Sequence, residues 1–551
     1  MRWFLLSLAV APALLQHSAY AQTIPDAGSL LQQIERDRSS QFPKRIAPDK
    51  PVEPAALESL SGASITVTGF RFAGNTLLST AQLNAAVADY LNRPLDFNQL
   101  QAAAAAVADA YRQAGWVVRA YLPKQDITEG FVTIQVVEAV FGGTVLEGAE
   151  PSRFSVATLL ARIEAAQAKD QALNANDIDR ALLLADDLPG IAVTGFLRPG
   201  GKADSTELVL RVDDKPVVTG EVSADNSGSR STGEARLNET LTLNSPAGAG
   251  DLASLNLMAS EGSEYARLAY SVPVGLQGAR LGVSASGMRY HVITPEFVLL
   301  SSHGKSETTG LDYSYPVVRS RLRNLYFNFS YDSKRFHNEA SLSVQSDYAV
   351  DVATLGLNGN SYDNLGGGGA NTASLAWVSG TLDHKALESG ENPALDGHFF
   401  KWRYSLTRQQ ILTDTLALYA SYSGQWAQSN LDSSEKFFLG GANGVRAYPA
   451  SEGGGSAGQL AILELRWRLP ENFSLTGFSD WGHVTNFDSA PSYSLKGSGF
   501  SLAWSSNAGM NLKLTVARRS GDNPNPIVTS GRDQDGSLTM NRCWLTASIP
   551  L

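Results

Sequence analysis

From about Pro216 to Leu551 the chain alternates apolar and polar residues with a period of two, the spacing of strands with one dry and one wet face. Leu325, Phe327, Phe329 and Tyr331 alternate with Asn328, Ser330 and Asp332; Leu416, Leu418, Ala420, Tyr422 and Trp426 alternate with Ser421, Ser423 and Gln425. Leu463, Leu465, Trp467 and Leu469 alternate with Glu464, Arg466 and Arg468, and Leu512, Leu514 and Val516 with Lys513 and Thr515. A packed soluble sandwich would not bury so many full charges, whereas a water-filled lumen accepts them. The pattern therefore predicts a transmembrane β-barrel, apolar outside and charged inside. At roughly 20 residues per strand and connection, residues 216–551 hold about 16 antiparallel strands, an even number as such barrels require.

Upstream the period changes. Asp26–Arg38 reads as a short helix with Leu30, Leu31 and Ile34 on one side, within an N-terminal segment 22–41 that on spacing alone could equally be a frayed terminus. Residues 42–63 carry Pro43, Pro48, Pro51 and Pro54 among charges, an extended linker. Residues 64–139 then read β-α-α-β-β: a strand over Ile65–Phe72, a helix capped by Ser79 or Thr80 and running to about Leu91, a helix from Phe97 to Ala114 capped by Asp96 and stopped by Gly115, and strands over Trp116–Leu122 and Phe131–Val137. Residues 140–215 repeat the order. A strand covers Phe141–Leu146, Ser152 opens a helix through about Ala166, Asn176 or Asp177 opens another through Ala185, and strands over Ile191–Leu197 and Thr206–Val212 close it.

The first 21 residues are a secretory signal: Met1-Arg2, an apolar run from Trp3 to Leu15, and Ala19-Tyr20-Ala21 as the cleavage site. After them no apolar run reaches the length of a membrane helix. The chain of 551 residues carries a net charge of −10, which argues against a general nucleic-acid partner. Its one cysteine, Cys543, excludes an intramolecular disulfide and a cysteine metal cluster, and reads as an inert buried or lipid-facing thiol. Asp383-His384 and Asp480 with His483 suggest a hydrolase set only loosely, since no G-x-S-x-G or H-E-x-x-H frame surrounds them. No catalytic residue, metal site or cofactor is expected, and the absence of G-x-x-x-x-G-K-[ST] leaves no nucleotide site.

Local motifs sharpen the picture. Ser434 to Gly441 contains Lys436-Phe-Phe-Leu-Gly440-Gly441 and is followed by Val445-Arg446-Ala447-Tyr448-Pro449; Phe478-Ser-Asp480-Trp-Gly482 comes about thirty residues later; Asp225-Asn226-Ser-Gly228 leads to Thr232-Gly233. In this order, behind two β-α-α-β-β modules, the chain resembles the two-partner secretion transporters, the hemolysin secretion/activation family of the POTRA-plus-barrel superfamily. The resemblance covers essentially the whole mature chain. It implies two periplasmic POTRA domains (64–139 and 140–215), a removable plug helix, and a barrel in the outer membrane. It also implies a loop near 440–456 folded into the lumen, with Gly440 and Gly441 at its base. Asp225, Asn226, Gly228, Thr232 and Gly233 would mark the entrance to the first barrel strand. The implied partners are an unfolded adhesin- or hemolysin-like exoprotein, bound by the POTRA domains, exported and in some cases activated on passage; outer-membrane lipid; and the barrel-assembly machinery that inserts the chain. A barrel-assembly factor of the same superfamily is the alternative, and it usually has more modules. An outer-membrane enzyme is the less favoured reading, since its histidines sit in no catalytic frame, and a passive porin has no use for two modules and a linker.

Counting by twos from Leu475, Gly477 and Trp481 on the outer face puts Phe478, Asp480 and Gly482 in the lumen. A lumen carboxylate seeks a cation, and the planar fork of Arg446 suits it better than lysine. Spacing alone leaves Arg446 an ordinary loop arginine; with the motif, Val445, Arg446 and Tyr448 are expected to lock onto Phe478, Asp480 and Gly482. Two departures from the family pattern stand out. Ala447 replaces the usual Gly, which strains the loop if that position needs a positive φ. The chain ends Ile549-Pro550-Leu551 rather than on an aromatic residue.

Overall fold

The computed structural model describes residues 26–38 and 64–551, apart from 128–129, 203, 386–391, 451, 488–491 and 528–529. The expected signal segment 1–21 and the Pro-rich linker 42–63 lie outside the described residues. Among the described residues the first element is helix α1 (Ala27–Arg38), lying inside the barrel described below.

The first module contains β1 (Ile65–Thr66), β2 (Gly69–Ala73), α2 (Thr80–Ala86), β3 (Pro94–Leu95), α3 (Phe97–Gln113), β4 (Val118–Tyr121) and β5 (Phe131–Glu138). Ser79 and Asp96 cap α2 and α3 through reciprocal boxes with Gln82 and Gln99, which satisfies donors that the first turn would otherwise leave open. The expected single strand over Ile65–Phe72 is broken in two, because Thr68 turns its N–H to the Gly130 carbonyl at 2.8 Å while Val67 drops into the core. The first helix stops at Ala86, short of Leu91, and a 3-10 turn over Ala88–Tyr90 follows. Glu138 ties the sheet to the entry of α2, accepting from the Thr76 and Leu77 amides at 2.7 and 2.9 Å and from the Tyr111 hydroxyl at 2.8 Å. Burial would raise this carboxyl, but those bonds outweigh it and hold it below its usual range.

The second module is β6 (Val140–Leu146), α4 (Val156–Ala166), α5 (Ala175–Asp186), β7 (Ile191–Pro199) and β8 (Ser205–Asp214). Both helix starts differ from expectation. Ser155, not Ser152, precedes α4, because the Ser152 amide is held by Asp214 at 3.0 Å and Phe154 must first enter the core. Asn174, not Asn176 or Asp177, caps α5, its Oδ1 accepting from the amides of both. The modules form three-stranded sheets in the orders β2-β5-β4 and β6-β8-β7.

The barrel strands are β9 (Val218–Asp225), β10 (Arg236–Asn244), β11 (Leu252–Ala259), β12 (Ser263–Val274), β13 (Ala279–His291), β14 (His303–Arg319), β15 (Arg323–Ala340) and β16 (Ser343–Asp363). They continue as β17 (Gly369–His384), β18 (Gly397–Ile411) and β19 (Leu416–Ala427). After the short hairpin β20 (Phe437–Phe438) and β21 (Gly454–Gly455) come β22 (Ala457–Arg468), β23 (Phe473–Thr485), β24 (Tyr493–Ser505), β25 (Asn511–Arg519) and β26 (Asn541–Pro550). Apart from the β20–β21 hairpin these sixteen strands close on themselves, β26 pairing with β9. The seam is short: five residue pairs, from Thr546↔Asp225 to Pro550↔Glu221. Alternation works as expected, with Leu463, Leu465 and Trp467 about half exposed on the outer wall and Glu464 buried inside. Cys543 is on the exposed outer face, in step with Leu545.

The second module docks on one rim. Arg319 grips Asp187 with two bonds of 2.8 and 2.7 Å, Arg321 reaches Asp179 at 2.7 Å, and Arg180 donates to the Pro316 carbonyl at 2.8 Å.

Candidate functional site

Residues 437–450 and 452–455 leave the far rim and fold back into the lumen. The hairpin is anchored by Phe437↔Gly455 and Phe438↔Gly454, and Val445 bonds back to the Leu439 carbonyl at 2.7 Å. Gly440 is required because a Cβ there would lie 2.0 Å from the Pro449 carbonyl, and Gly441 because its φ is +104°.

At the tip Arg446 is 5 % exposed. Its Nε and Nη2 donate to the two Asp480 oxygens at 2.9 and 2.6 Å, and its own amide donates to Asp480 Oδ2 at 3.0 Å. Nη1 donates to Glu464 at 2.6 Å, and Glu464 is shared with Arg466 at 2.7 Å. The guanidinium lies 3.5 Å over the Phe478 ring, and the Arg446 carbonyl accepts from Trp544 Nε1 at 2.8 Å. Two arginines face two carboxylates, so the buried group is neutral, with its bonds largely satisfied. Gly482 makes room for Leu439, whose Cδ2 would lie 2.7 Å from any Cβ there. Leu439, Val445, Ala447, Tyr448 and Phe478 share one apolar cluster.

The structure thus brings Val445, Arg446, Tyr448, Phe478, Asp480 and Gly482 into one place. Ala447 does not take a positive φ; its methyl fills the space over Gly497, where a Cβ would sit 2.6 Å away. Gly497→Ala therefore forces the loop outward, at a cost of about 1–3 kcal/mol. Its unfolding temperature in detergent is expected to fall, and Ala447→Gly in the same chain to restore it; an unchanged value for the single variant would contradict this packing.

The Asp225–Gly233 stretch is not the entrance to the first strand, as expected, but its far end and the turn into β10. The strand starts earlier, at Val218, because alternation continues back to the module. Asp225 accepts from Arg236 Nε at 3.0 Å and from Asn238 at 2.8 Å. Asn226 bridges the seam, donating to the Cys543 carbonyl at 2.9 Å and accepting from the Leu545 amide at 2.8 Å. Gly228 and Gly233 pack against each other, a Cβ on Gly228 falling 2.2 Å from the Gly233 carbonyl, and the Thr232 carbonyl accepts from Gly262 at 2.7 Å.

Helix α1 joins these parts. Leu30 and Leu31 are buried and Ile34 partly so against the inner wall. Arg36 donates to the Phe438 and Gly440 carbonyls at 2.8 and 3.0 Å. Asp37 accepts from Arg236 and Asn443, each at 3.0 Å, and Asp26 accepts from Ser433 at 2.8 Å. Beneath, Glu435 is gripped by Lys334 at 2.9 Å and Lys401 at 2.7 Å. Sequence reasoning missed Glu464, Trp544, Arg236 and Glu435. Parity would have put Glu464 and Trp544 inside, since Glu464 alternates with the outward Leu463 and Leu465 and Trp544 with the outward Cys543 and Leu545, but nothing local pairs them with Arg446.

A family model described as haemolysin secretion/activation protein ShlB/FhaC/HecB matches residues 204–505, and one described as POTRA domain, ShlB-type, matches residues 65–139. The chain is 26% identical over 470 residues to the heme/hemopexin transporter protein HuxB of Haemophilus influenzae (strain 86-028NP), covering 83% of this chain and 82% of that one. It is 26% identical over 445 residues to the outer membrane transporter CdiB of Dickeya dadantii (strain 3937), covering 78% of each. The solved structure of CdiB from Escherichia coli matches with a TM-score of 0.74 at 22% identity, over 97% of this chain and 100% of that one, a likeness of fold.

Proposed function

The chain belongs to the haemolysin secretion/activation (ShlB/FhaC/HecB) family, and from that premise we propose how its parts divide the work of moving a protein across a membrane. It is an outer-membrane transporter of the two-partner secretion type, with POTRA domains ahead of a sixteen-stranded barrel. In the proposed cycle an unfolded exoprotein reaches the periplasmic modules and adds a strand to an open sheet edge, through backbone hydrogen bonds that ask little of its side chains. The longest such edge is β7, nine residues long, which among the described residues is paired only with β8 and leaves Phe196 exposed. The exoprotein then threads the lumen once α1 has moved aside, while the Arg446 loop keeps its grip on the wall. Folding outside the cell pulls the chain forward, so no covalent bond is made or broken by this protein. The barrel-assembly machinery inserts it.

The observation that carries this reading is a closed barrel whose lumen holds both an N-terminal helix and an inward loop, tied to each other by Arg36 and Asp37. A passive pore needs neither. Co-expression with each large exported protein encoded beside this chain, followed by assay of the medium, is the test. One such protein is expected in the medium only when this chain is present; if other barrels fail to insert in its absence, the assembly-factor alternative takes over.

A further inference from the structure

Between the second module and the barrel rim lies a cavity of about 580 Å³. Helices α4 and α5 line one side of it, and the β12–β13 turn and the end of β14 line the other. Its charges do not balance. Arg319 is paired with Asp187 and Asp179 with Arg321. Asp177 is exposed in the first turn of α5, and Arg180 is bonded to a backbone carbonyl. That leaves Arg162, on the buried side of α4 and 6 % exposed. Its Nε and Nη1 are buried and have no hydrogen-bond partner among the described residues. Burial pushes the guanidinium below its usual range, with no described carboxylate to offset it. A cation kept in such a place is costly unless an anion meets it. Water can accept its hydrogen bonds but does not neutralise its charge.

The other border of the cavity is apolar and belongs to the outer wall. On β14, Leu311, Tyr313 and Tyr315 face outward, the two tyrosines opposite Phe329 and Phe327 of β15; after a bulge Val318 stands opposite Leu325. Tyr315, Val318 and Leu276 line the cavity, and Val318 and Leu276 are 42 % and 41 % exposed. The apolar band of the wall thus runs down to the turns, and tyrosines at its edge mark the level of lipid headgroups. Cationic on one side and apolar on the other, the cavity suits a ligand that is itself anionic at one end and apolar at the other.

We propose that this cavity binds an anionic phospholipid of the periplasmic leaflet, its phosphate between Arg162 and Arg180 and its acyl chains along Val318 and Leu276. Planar guanidinium forks suit phosphate oxygens, and basic pockets at a membrane surface take lipid headgroups. The bound lipid supplies the charge that Arg162 lacks and fastens the second module to the rim beside the Asp187 and Asp179 pairs. The proposal depends on the barrel's place in the outer membrane and not on what the barrel exports.

The test uses the full chain in a non-ionic detergent, titrated with dioleoylphosphatidylglycerol, dioleoylphosphatidylcholine or inorganic phosphate, with binding followed by native mass spectrometry. Phosphatidylglycerol is expected to bind at least ten-fold more tightly than the other two. Arg162→Gln is expected to weaken it about ten-fold or more, the effect of losing a bond between charged groups. Arg198→Gln, in an exposed pair on β7 of the same module, is expected to leave it unchanged. Without lipid, Arg162→Gln should unfold at the temperature of the native chain or above it, since an unpaired charge is gone; with phosphatidylglycerol the native chain should be the more stable. A merely structural arginine gives no such crossing. Equal binding of phosphatidylglycerol by Arg162→Gln, or an equal loss in Arg198→Gln, would overturn the proposal. So would an Arg162→Gln chain that is less stable by the same margin with and without lipid. If that variant does not fold, the native chain decides: phosphate or phosphatidylcholine bound as tightly as phosphatidylglycerol would overturn the assignment to an anionic lipid.

Discussion

Arg446→Ala is expected to leave a barrel that still inserts and to cut secretion of its partner by about a hundred-fold or more, the size of effect that follows from stranding buried charge. Asp480 is 2 % and Glu464 8 % exposed, and Arg446 is the only described cation bonded to Asp480. Removing it leaves that carboxylate in the wall without a counter-charge, which costs about 3–5 kcal/mol for a buried pair. The loop has a cheaper course, which is to let go of the wall. Arg446→Lys keeps the charge but cannot make the two parallel bonds, so it should fall between. Barrel at the cell surface and partner in the medium are measured together; full secretion by the alanine variant would show that the loop's hold on the wall is not needed.

Deleting residues 22–41 should raise the single-channel conductance in planar bilayers several-fold, because the twelve-residue helix α1 is about 18 Å long and lies within the lumen. A helix of that length is marginal alone in water. Its order comes from the wall: burial of Leu30 and Leu31 is worth about 1.5–3 kcal/mol each, and Arg36 and Asp37 add charge-assisted bonds to the loop and to Arg236. Asp37→Ala, which removes the ties to Arg236 and Asn443 but keeps those of Arg36, should give intermittent opening rather than a constant large conductance. An unchanged conductance in the deletion would mean that the loop, not the helix, sets the bore.

Much of this architecture was legible because it is written at short range. A strand that separates lipid from water must alternate at every second residue, so Leu463 to Arg468 declared both faces, and a count of about 16 strands followed. The helices of the modules were found from their caps, Ser79 and Asp96, and misplaced where a turn had to bury Phe154 before a helix could start. The site was half legible. Arg446 and Asp480 came from motif and parity, but Trp544 lies 98 residues from Arg446, and Arg236 lies 199 from Asp37. Such pairs are set by how the barrel closes and by what enters it, neither of which leaves a local period. Ala447 shows the converse: a departure that looked like backbone strain is met by a glycine on the wall, Gly497, fifty residues away.

The strands differ greatly in length, from eight residues in β9 to 21 in β16, and the bilayer around the barrel has to follow. At ~3.4 Å per residue and a tilt of about 40°, β9 rises roughly 20 Å, less than the ~25 Å apolar band of an outer-membrane barrel. The wall at β16 rises more than twice as far. Lipid tails beside the β9–β26 seam must therefore shorten, tilt or splay, each at a fraction of a kcal/mol per Å of mismatch, while those at β16 pack undisturbed. These lengths put the greatest mismatch at the β9–β26 junction, which five residue pairs, the Asn226 side chain and the backbone bonds from Asn226 to Leu545 at 3.3 Å and from Leu551 to Gly220 at 2.9 Å hold shut.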